Sequence, residues 1–294
     1  MFNLTILNDS SEIIHYNNPK IPLYAVTGDL KSFPNMRAMV HWHEDIEFLM
    51  PVSGHITYRI NEKEYVIHEG QAIFVNSKQM HFGYSADQTD CHYICIVFKT
   101  SLIASNPELY TKYIAPVTES YTINGMLITG ETPTERTLLS LLNDIYHFYC
   151  EKKDCYELYA INSLTALWIS LYELTKTHHT TFSYDSRSIS DIITQKQMVQ
   201  FIQEHFSEKI SLTDIASSGN ISRTKCCQLF QKYLNLTPND YLTQYRLEQS
   251  MKLLRTTSMS ATEIALSCGF NSSSYFSETF KRYKGCSPSE FRKL

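Results

Sequence analysis

The sequence predicts an α+β multidomain protein: a β-rich N-terminal unit built as a barrel or sandwich, helices following it, and an all-α C-terminal unit holding two helix-turn-helix arrangements. Three observations carry this reading. Residues 37 to about 100 alternate and turn like strands, apolar residues recur at helical spacing from Thr134 onward, and the C-terminal third contains one pattern twice. A chain of 294 residues is long enough for about two domains, each with its own core. Its 43% hydrophobic and 19% charged content is ordinary for a soluble protein.

In the N-terminal part, HITYRI, the polar turn NEKE and YVIHEG predict a hairpin, while QAIFV and CHYICIVF have the β-branched and aromatic content of strands. Leu138, Leu139, Leu142, Ile145, Tyr146 and Tyr149 then form one helical stripe. Leu158, Ile161, Leu164, Leu167, Trp168, Leu171 and Leu174 form a second. Each apolar face needs a cover, either the β unit or a second copy of the chain. HHTTFSYDSRSIS, over 178–190, has no periodicity and reads as a linker. The expected division is 1–130, 131–180 and 190–294.

Sliding the chain on itself by fifty positions lays Gly219 on Gly269, Ser222 on Ser272, Phe230 on Phe280, Tyr233 on Tyr283 and Pro238 on Pro288. Two copies are too few for a solenoid, which needs three or more. Ser211 and Ser260 are expected to cap short helices, Ser260 with Glu263 as a capping box. Ser222, and Ser272 or Ser273, are expected to cap longer ones. A short helix, a tight turn and a second capped helix make a helix-turn-helix, here about 211–235 and 260–284. In the second copy Phe276, Phe280 and Tyr283 face a core, leaving Ser274, Ser277 and Glu278 outward, with Lys281 and Arg282 placed to meet phosphates. A connecting helix of about 18 residues spans roughly 27 Å, comparable with the ~34 Å between successive major-groove faces on one side of B-DNA.

Charge follows the same division. The formal net charge of −4 conceals 13 basic against 8 acidic side chains from residue 193 onward, a net of +5, and −9 in the remainder. Moderate basicity alone is shared by many soluble domains. The eight cysteines form no C-x-x-C pair and read as reduced thiols. The start MFNLTILNDSSEII lacks a signal-peptide pattern, and no run of roughly 18 apolar residues occurs, so the expected location is the cytoplasm.

From Ile210 to Phe291 the chain resembles the AraC/XylS family of bacterial transcription regulators. RLEQSMKLL in the connector and EIALSCGFNSSSYFSETFKRYKGCSPSEFR carry the likeness. The resemblance implies a sequence-specific regulator whose single chain inserts two helix-turn-helices into adjacent major grooves of double-stranded DNA; a homodimer, through the apolar helix faces, and contact with RNA polymerase are further expectations. It places Thr224, Cys227 and Gln228 of the first unit, and Ser274, Tyr275, Ser277 and Glu278 of the second, at bases. Gln228 suits a bidentate contact with adenine, and Glu278 stands where many relatives have arginine.

MVHWHEDIEFLMPVSG and EGQAIFVNSKQMHFGYS resemble the two cupin motifs, with His41, His43, Glu47 and Gly54 in the first and His81 in the second. Asn76 and Lys78 depart from that pattern, standing where cupins commonly have proline and glycine. Three imidazoles and a carboxylate are a ligand set for iron, manganese or zinc. His41, His43 and Glu47 share a strand face in either case; Trp42, Ile46 and Phe48 lie opposite and could instead be the core, leaving the histidines exposed. Cupin-like barrels in regulators imply effector recognition rather than catalysis. His41, His43, Glu47 and His81 are therefore expected to contact a small-molecule effector, with neither metal nor cofactor resident. The 20 tyrosines suit sugars and aromatic ligands equally. The alternative is a metal-dependent cupin enzyme with a C-terminal helical targeting module.

Overall fold

A computed structural model describes residues 6, 11–120, 122–178 and 186–293, with the side chains at 177–178 and 186–189 left aside. Residues 179–185 of the stretch read as a linker lie outside the described residues. The chain forms two compact units, one ending at Ser186 and the other covering Arg187–Leu294.

The first unit is built on eight strands: β1 (Leu23–Asp29), β2 (Ile46–Ser53), β3 (His55–Ile60), β4 (Lys63–His68), β5 (Ala72–Val75), β6 (His81–Tyr84), β7 (His92–Phe98) and β8 (Gly125–Ile128). They form a five-stranded sheet of order β1-β7-β2-β5-β8 and a three-stranded sheet of order β4-β3-β6. The strand-rich reading holds, but in a two-sheet form that does not close into one barrel. The predicted hairpin is β3–β4, pairing His55 with His68 through Ile60 with Lys63. Its turn is shorter than NEKE: Asn61 takes φ 51 and Lys63 is already strand.

Alternation along β2 separates two environments. Ile46, Phe48 and Met50 join the cluster that contains Leu138, Leu142, Ile145, Leu164, Leu167 and Trp168. Leu49 joins the other cluster, with Ile56, Tyr58, Ile73, Tyr93 and Val97. After the single helical turns α1 (Pro107–Leu109) and α2 (Ala115–Thr118) come α3 (Pro133–Glu151) and α4 (Tyr156–His178). Both cover the five-stranded sheet with the stripes read from the sequence, and Trp168 donates its indole N–H to the Tyr113 carbonyl at 3.0 Å. Leu158 departs from its stripe: it is 69% exposed, with Tyr159 and Ile169 also outward.

The second unit is helical: α5 (Ser186–His205), α6 (Leu212–Ser218), α7 (Arg223–Leu234), α8 (Pro238–Thr256), α9 (Ala261–Ser267), α10 (Ser273–Lys284) and α11 (Pro288–Phe291). α5 begins inside the stretch read as aperiodic. Ser211 caps α6 in a capping box with Asp214, Ser260 caps α9 in one with Glu263, and Ser222 and Ser272 cap α7 and α10. Each cap satisfies N–H groups that the first helical turn leaves without partners. α8 runs 19 residues between the two helix-turn-helices.

The two turns are not in the register that the glycine alignment implied. Three residues separate Ser218 from the Ser222 cap, and four separate Ser267 from the Ser272 cap. Gly219, at φ −94, matches Cys268, at φ −92; Asn220, at φ 53, matches Gly269, at φ 76. The fifty-residue spacing therefore holds for α7 and α10, while α6 and α9 stand forty-nine apart. Identity paired two glycines that do different work: Gly269 supplies a left-handed backbone, and Gly219 admits Met198 and Thr194 to within 3.0 Å of where a Cβ would be.

Candidate effector site and nucleic-acid interface

His41, His43, Glu47 and His81 come together, with one ligand atom from each lying within 4.8 Å of the others. All four are buried, which overturns the reading that leaves the histidines exposed: they are 4%, 2%, 3% and 1% accessible. β2 carries Glu47, β6 carries His81, and an isolated bridge sets His41 against His81 with N–H···O distances of 2.9 and 3.1 Å.

Backbone carbonyls fix every ring. His41 Nδ1 lies 2.9 Å from the Met39 oxygen, His43 Nδ1 3.0 Å from that of Asp45, and His81 Nδ1 2.8 Å from that of Gln79. A carbonyl only accepts, so each Nδ1 carries hydrogen and each Nε2 turns inward. His43 Nε2 is 3.1 Å from Glu47 Oε2, and His81 Nε2 is 3.3 Å from the same oxygen. Tyr58 donates its hydroxyl to Glu47 Oε1. Glu12, paired through its N–H with the Trp42 carbonyl, sets Oε2 3.4 Å from His41 Nε2.

Burial dominates the local proton affinities. It pushes the Glu12 carboxyl up to about 8 and His41 down to about 3. For Glu47 burial acts upward, but the charge of His81, whose Nε2 lies 3.3 Å away, and the hydrogen bond from His43 hold its carboxyl well below the usual range. For His43 burial acts downward and is outweighed by the Glu47 hydrogen bond and charge, leaving it raised.

The departures from the cupin motif have local solutions. Asn76 is buried and donates its Nδ2 to the carbonyls of Val117 and Ile123, at 2.7 and 2.6 Å. Lys78 takes φ 62, where a glycine would stand in the motif, and its N–H donates to the His43 carbonyl at 2.7 Å. The loop thus delivers His81 without the expected residues.

Beside the cluster lies a pocket that opens to solvent. Tyr24, Phe33, Tyr58 and Tyr93 supply aromatic wall, Glu12, His41 and Glu47 supply polar groups, and its lining holds no lysine or arginine. Sequence reasoning missed Glu12, for which the pattern held no signal. It also missed Tyr58, which the alternation of HITYRI puts on the same inward face as Ile56 and Ile60.

On the helical unit, Thr224 and Gln228 of α7 are exposed and Cys227 is half-buried; on α10 Ser274, Tyr275, Glu278, Lys281 and Arg282 are exposed and Ser277 is half-buried. Leu229, Phe230 and Tyr233, and correspondingly Phe276, Phe280 and Tyr283, form the buried sides. Both second helices therefore present polar faces. Arg223, at the first position of α7, is an exposed cation that sequence reasoning passed over. All eight cysteines are free thiols; Cys150 and Cys155 are exposed, unlike buried Cys91, Cys95, Cys226 and Cys268. Among the described residues no helix is long and apolar enough to cross a membrane.

Residues 24–152 match a family model described as an AraC-like ligand binding domain, and residues 215–294 match a helix-turn-helix domain. The chain is 29% identical over 294 residues, covering 100% of itself and 99% of the relative, to the uncharacterised HTH-type transcriptional regulator YdeC of Bacillus subtilis. It is 25% identical over 268 residues, covering 89% of itself and 85% of the relative, to the melibiose operon regulatory protein of Escherichia coli. Among solved structures it is similar to fatty-acid-bound ToxT of Vibrio cholerae, with 16% identity, coverage of 95% and 97%, and a TM-score of 0.47. The chain belongs to the AraC-type transcriptional regulators, with an N-terminal ligand-binding domain and a C-terminal helix-turn-helix DNA-binding domain.

Proposed function

We propose that this regulator engages two adjacent major-groove faces with α7 and α10, and that a neutral, polyhydroxylated molecule of the sugar class controls it from the N-terminal cavity. The observation that carries the DNA half is the pair of exposed polar faces on the second helices of both helix-turn-helices. Thr224, Cys227 and Gln228 read one groove, Ser274, Tyr275, Ser277 and Glu278 the other, and Lys281 and Arg282 meet phosphates.

The cavity's chemistry supports the effector class. Aromatic rings stack on the C–H faces of a sugar, and His41, Glu47 and Glu12 offer hydrogen-bonding partners to hydroxyls. With two carboxyl groups and no cationic side chain in its lining, the same cavity disfavours an anionic ligand. The melibiose operon relative favours sugars too. Effector binding shifts the population able to engage paired sites. The exposed Leu158, Tyr159 and Ile169 of α4 offer an apolar face to a second copy, making a homodimer. The protein works in the cytoplasm, beside RNA polymerase, as a regulator and not as an enzyme; site placement on the promoter sets the direction of control.

The test is DNA binding by the full chain in the presence of neutral sugars and of carboxylate ligands. A neutral sugar is expected to change the affinity, and Tyr93→Ala to abolish that response while leaving sugar-free binding intact. A response to carboxylates alone would overturn the effector class.

A further inference from the structure

The internal repeat reaches further toward the N-terminus than the two helix-turn-helices. The forty-nine-residue offset that relates α6 to α9 also lays Asp191 of α5 on Asp240 of α8, with Thr194 on Thr243 and Gln195 on Gln244. The two aspartates do different work. Asp240 closes the capping box of its own helix, its Oδ2 accepting from the Thr237 hydroxyl at 2.6 Å. Asp191 instead faces α7: Lys225 Nζ lies 2.9 Å from its Oδ1 and 3.1 Å from its Oδ2, and Lys232 Nζ lies 3.9 Å from Oδ2.

Lys225 and Lys232 stand seven residues apart on α7, about two turns, and so share a flank. That flank runs between Gln228, exposed on the polar face, and Leu229, buried beneath it. Cations bordering a base-reading face are placed to meet the phosphates on either side of a groove. The fifty-residue repeat sets Lys232 on Arg282, the phosphate contact proposed for α10. Both lysines stay within reach of a partner, with side chains 43% and 40% exposed, and an ion pair this exposed is weak. Charge-assisted hydrogen bonds to phosphate can replace it.

We infer that Lys225 and Lys232 form a further phosphate-binding site, on α7, which Asp191 holds closed until DNA takes the lysines from its carboxylate. The inference rests on α7 entering a groove, as proposed above. On α10 the matching positions, Tyr275 and Arg282, are exposed, and the aspartate matching Asp191 is engaged in its cap. The first copy therefore binds DNA against an internal competitor, and Asp191 sets how strongly phosphates alone can draw it in.

The experiment measures binding of the full chain, over a range of salt concentrations, to a duplex that the wild-type chain selects from a random library. When the lysines move to phosphates, the bared Asp191 carboxylate takes up a cation from solution, which offsets one of those that DNA releases. Asp191→Asn removes that uptake. It is expected to steepen the dependence of log affinity on log salt by about one, so that its gain over wild type grows about 10-fold with each 10-fold dilution of salt. Asp191→Ser is expected to give the same steepening. In the Asp191→Asn background Lys225→Ala and Lys232→Ala are each expected to lower the slope by about one, and in the wild-type background by less. Asp240→Asn takes the matching charge from the α8 cap, and is expected to lower the denaturant midpoint without steepening the slope. Far-ultraviolet circular dichroism verifies that each variant folds.

A slope unchanged or shallower in Asp191→Asn and Asp191→Ser, lysine effects equal in both backgrounds, or the same steepening in Asp240→Asn would overturn the closed site. Sequence preference relaxed by Gln228→Ala, with the Asp191 slopes unchanged, overturns the closed site and leaves the DNA reading standing. Wild-type binding without sequence preference overturns both.

Discussion

The two helix-turn-helices share caps, helix lengths and buried rings, yet they solve three local problems differently. The first makes its left-handed step with Asn220, the second with Gly269, one turn residue longer. Lys225 and Lys232 of α7 reach Asp191 of α5 at 2.9 and 3.9 Å, whereas their counterparts on α10, Tyr275 and Arg282, are exposed. Gly269 sits against the chain leaving α5, where an added Cβ would lie 2.5 Å from the Phe206 carbonyl; Gly219 packs only on side chains. One copy is thus fastened to its own unit through its lysines, and the other leaves Lys281 and Arg282 exposed.

The glycines give the largest expected contrast. Gly269→Ala meets both a left-handed φ and a backbone atom, and is expected to destabilise the C-terminal unit by about 2 kcal/mol or more. Gly219→Ala, at an ordinary φ against the flexible Met198, is expected to stay within about 1 kcal/mol of wild type. Denaturant midpoints of the full chain measure both, and equal losses would restore the register of the glycine alignment. Next come the caps: Ser211→Ala and Ser260→Ala share one geometry and should each cost about 1 kcal/mol. A loss confined to one copy would make the two boxes unequal.

On DNA, Lys281→Ala and Arg282→Ala are each expected to reduce the dependence of log affinity on log salt by about one, as for a lost phosphate contact. Lys225→Ala and Lys232→Ala, whose ammonium groups already face Asp191, should change it less. A separate effect is a pH dependence. Burial raises the Glu248 carboxyl of α8 from 4.5 to about 7, against the opposing charges of Lys284, Lys252 and Arg255. A carboxyl raised by folding contributes stability that is full below about pH 4.5 and is lost as pH climbs through about 7. Glu248→Gln should flatten that part of the stability profile, read from denaturant midpoints at pH 5 and pH 7.5.

Elements whose periodicity is set by burial on one side were legible from residues alone. The stripes of α3 and α4, the hairpin β3–β4 and the serine caps all follow local rules. The inward direction of His41 and His43 was not legible: both faces of the neighbouring β2 are buried, so alternation could not tell core from site. Exposed Leu158 shows the converse limit, since helical spacing marks an apolar stripe without saying where its cover ends. Glu12 comes from far away in sequence and left no pattern. The offset between Asn220 and Gly269 was hidden because identity aligned residues by type and the turn selects them by φ.

Both copies of the helix-turn-helix are expected to read DNA. Footprinting of the full chain on a selected duplex, with Gln228→Ala and Ser277→Ala beside wild type, tests it most directly. Two short protected blocks about one helical turn apart are predicted, with Gln228→Ala relaxing sequence preference in one block and Ser277→Ala in the other. Salt-sensitive protection without preferred sequence, unchanged in both variants, would contradict it and leave only a basic helical surface.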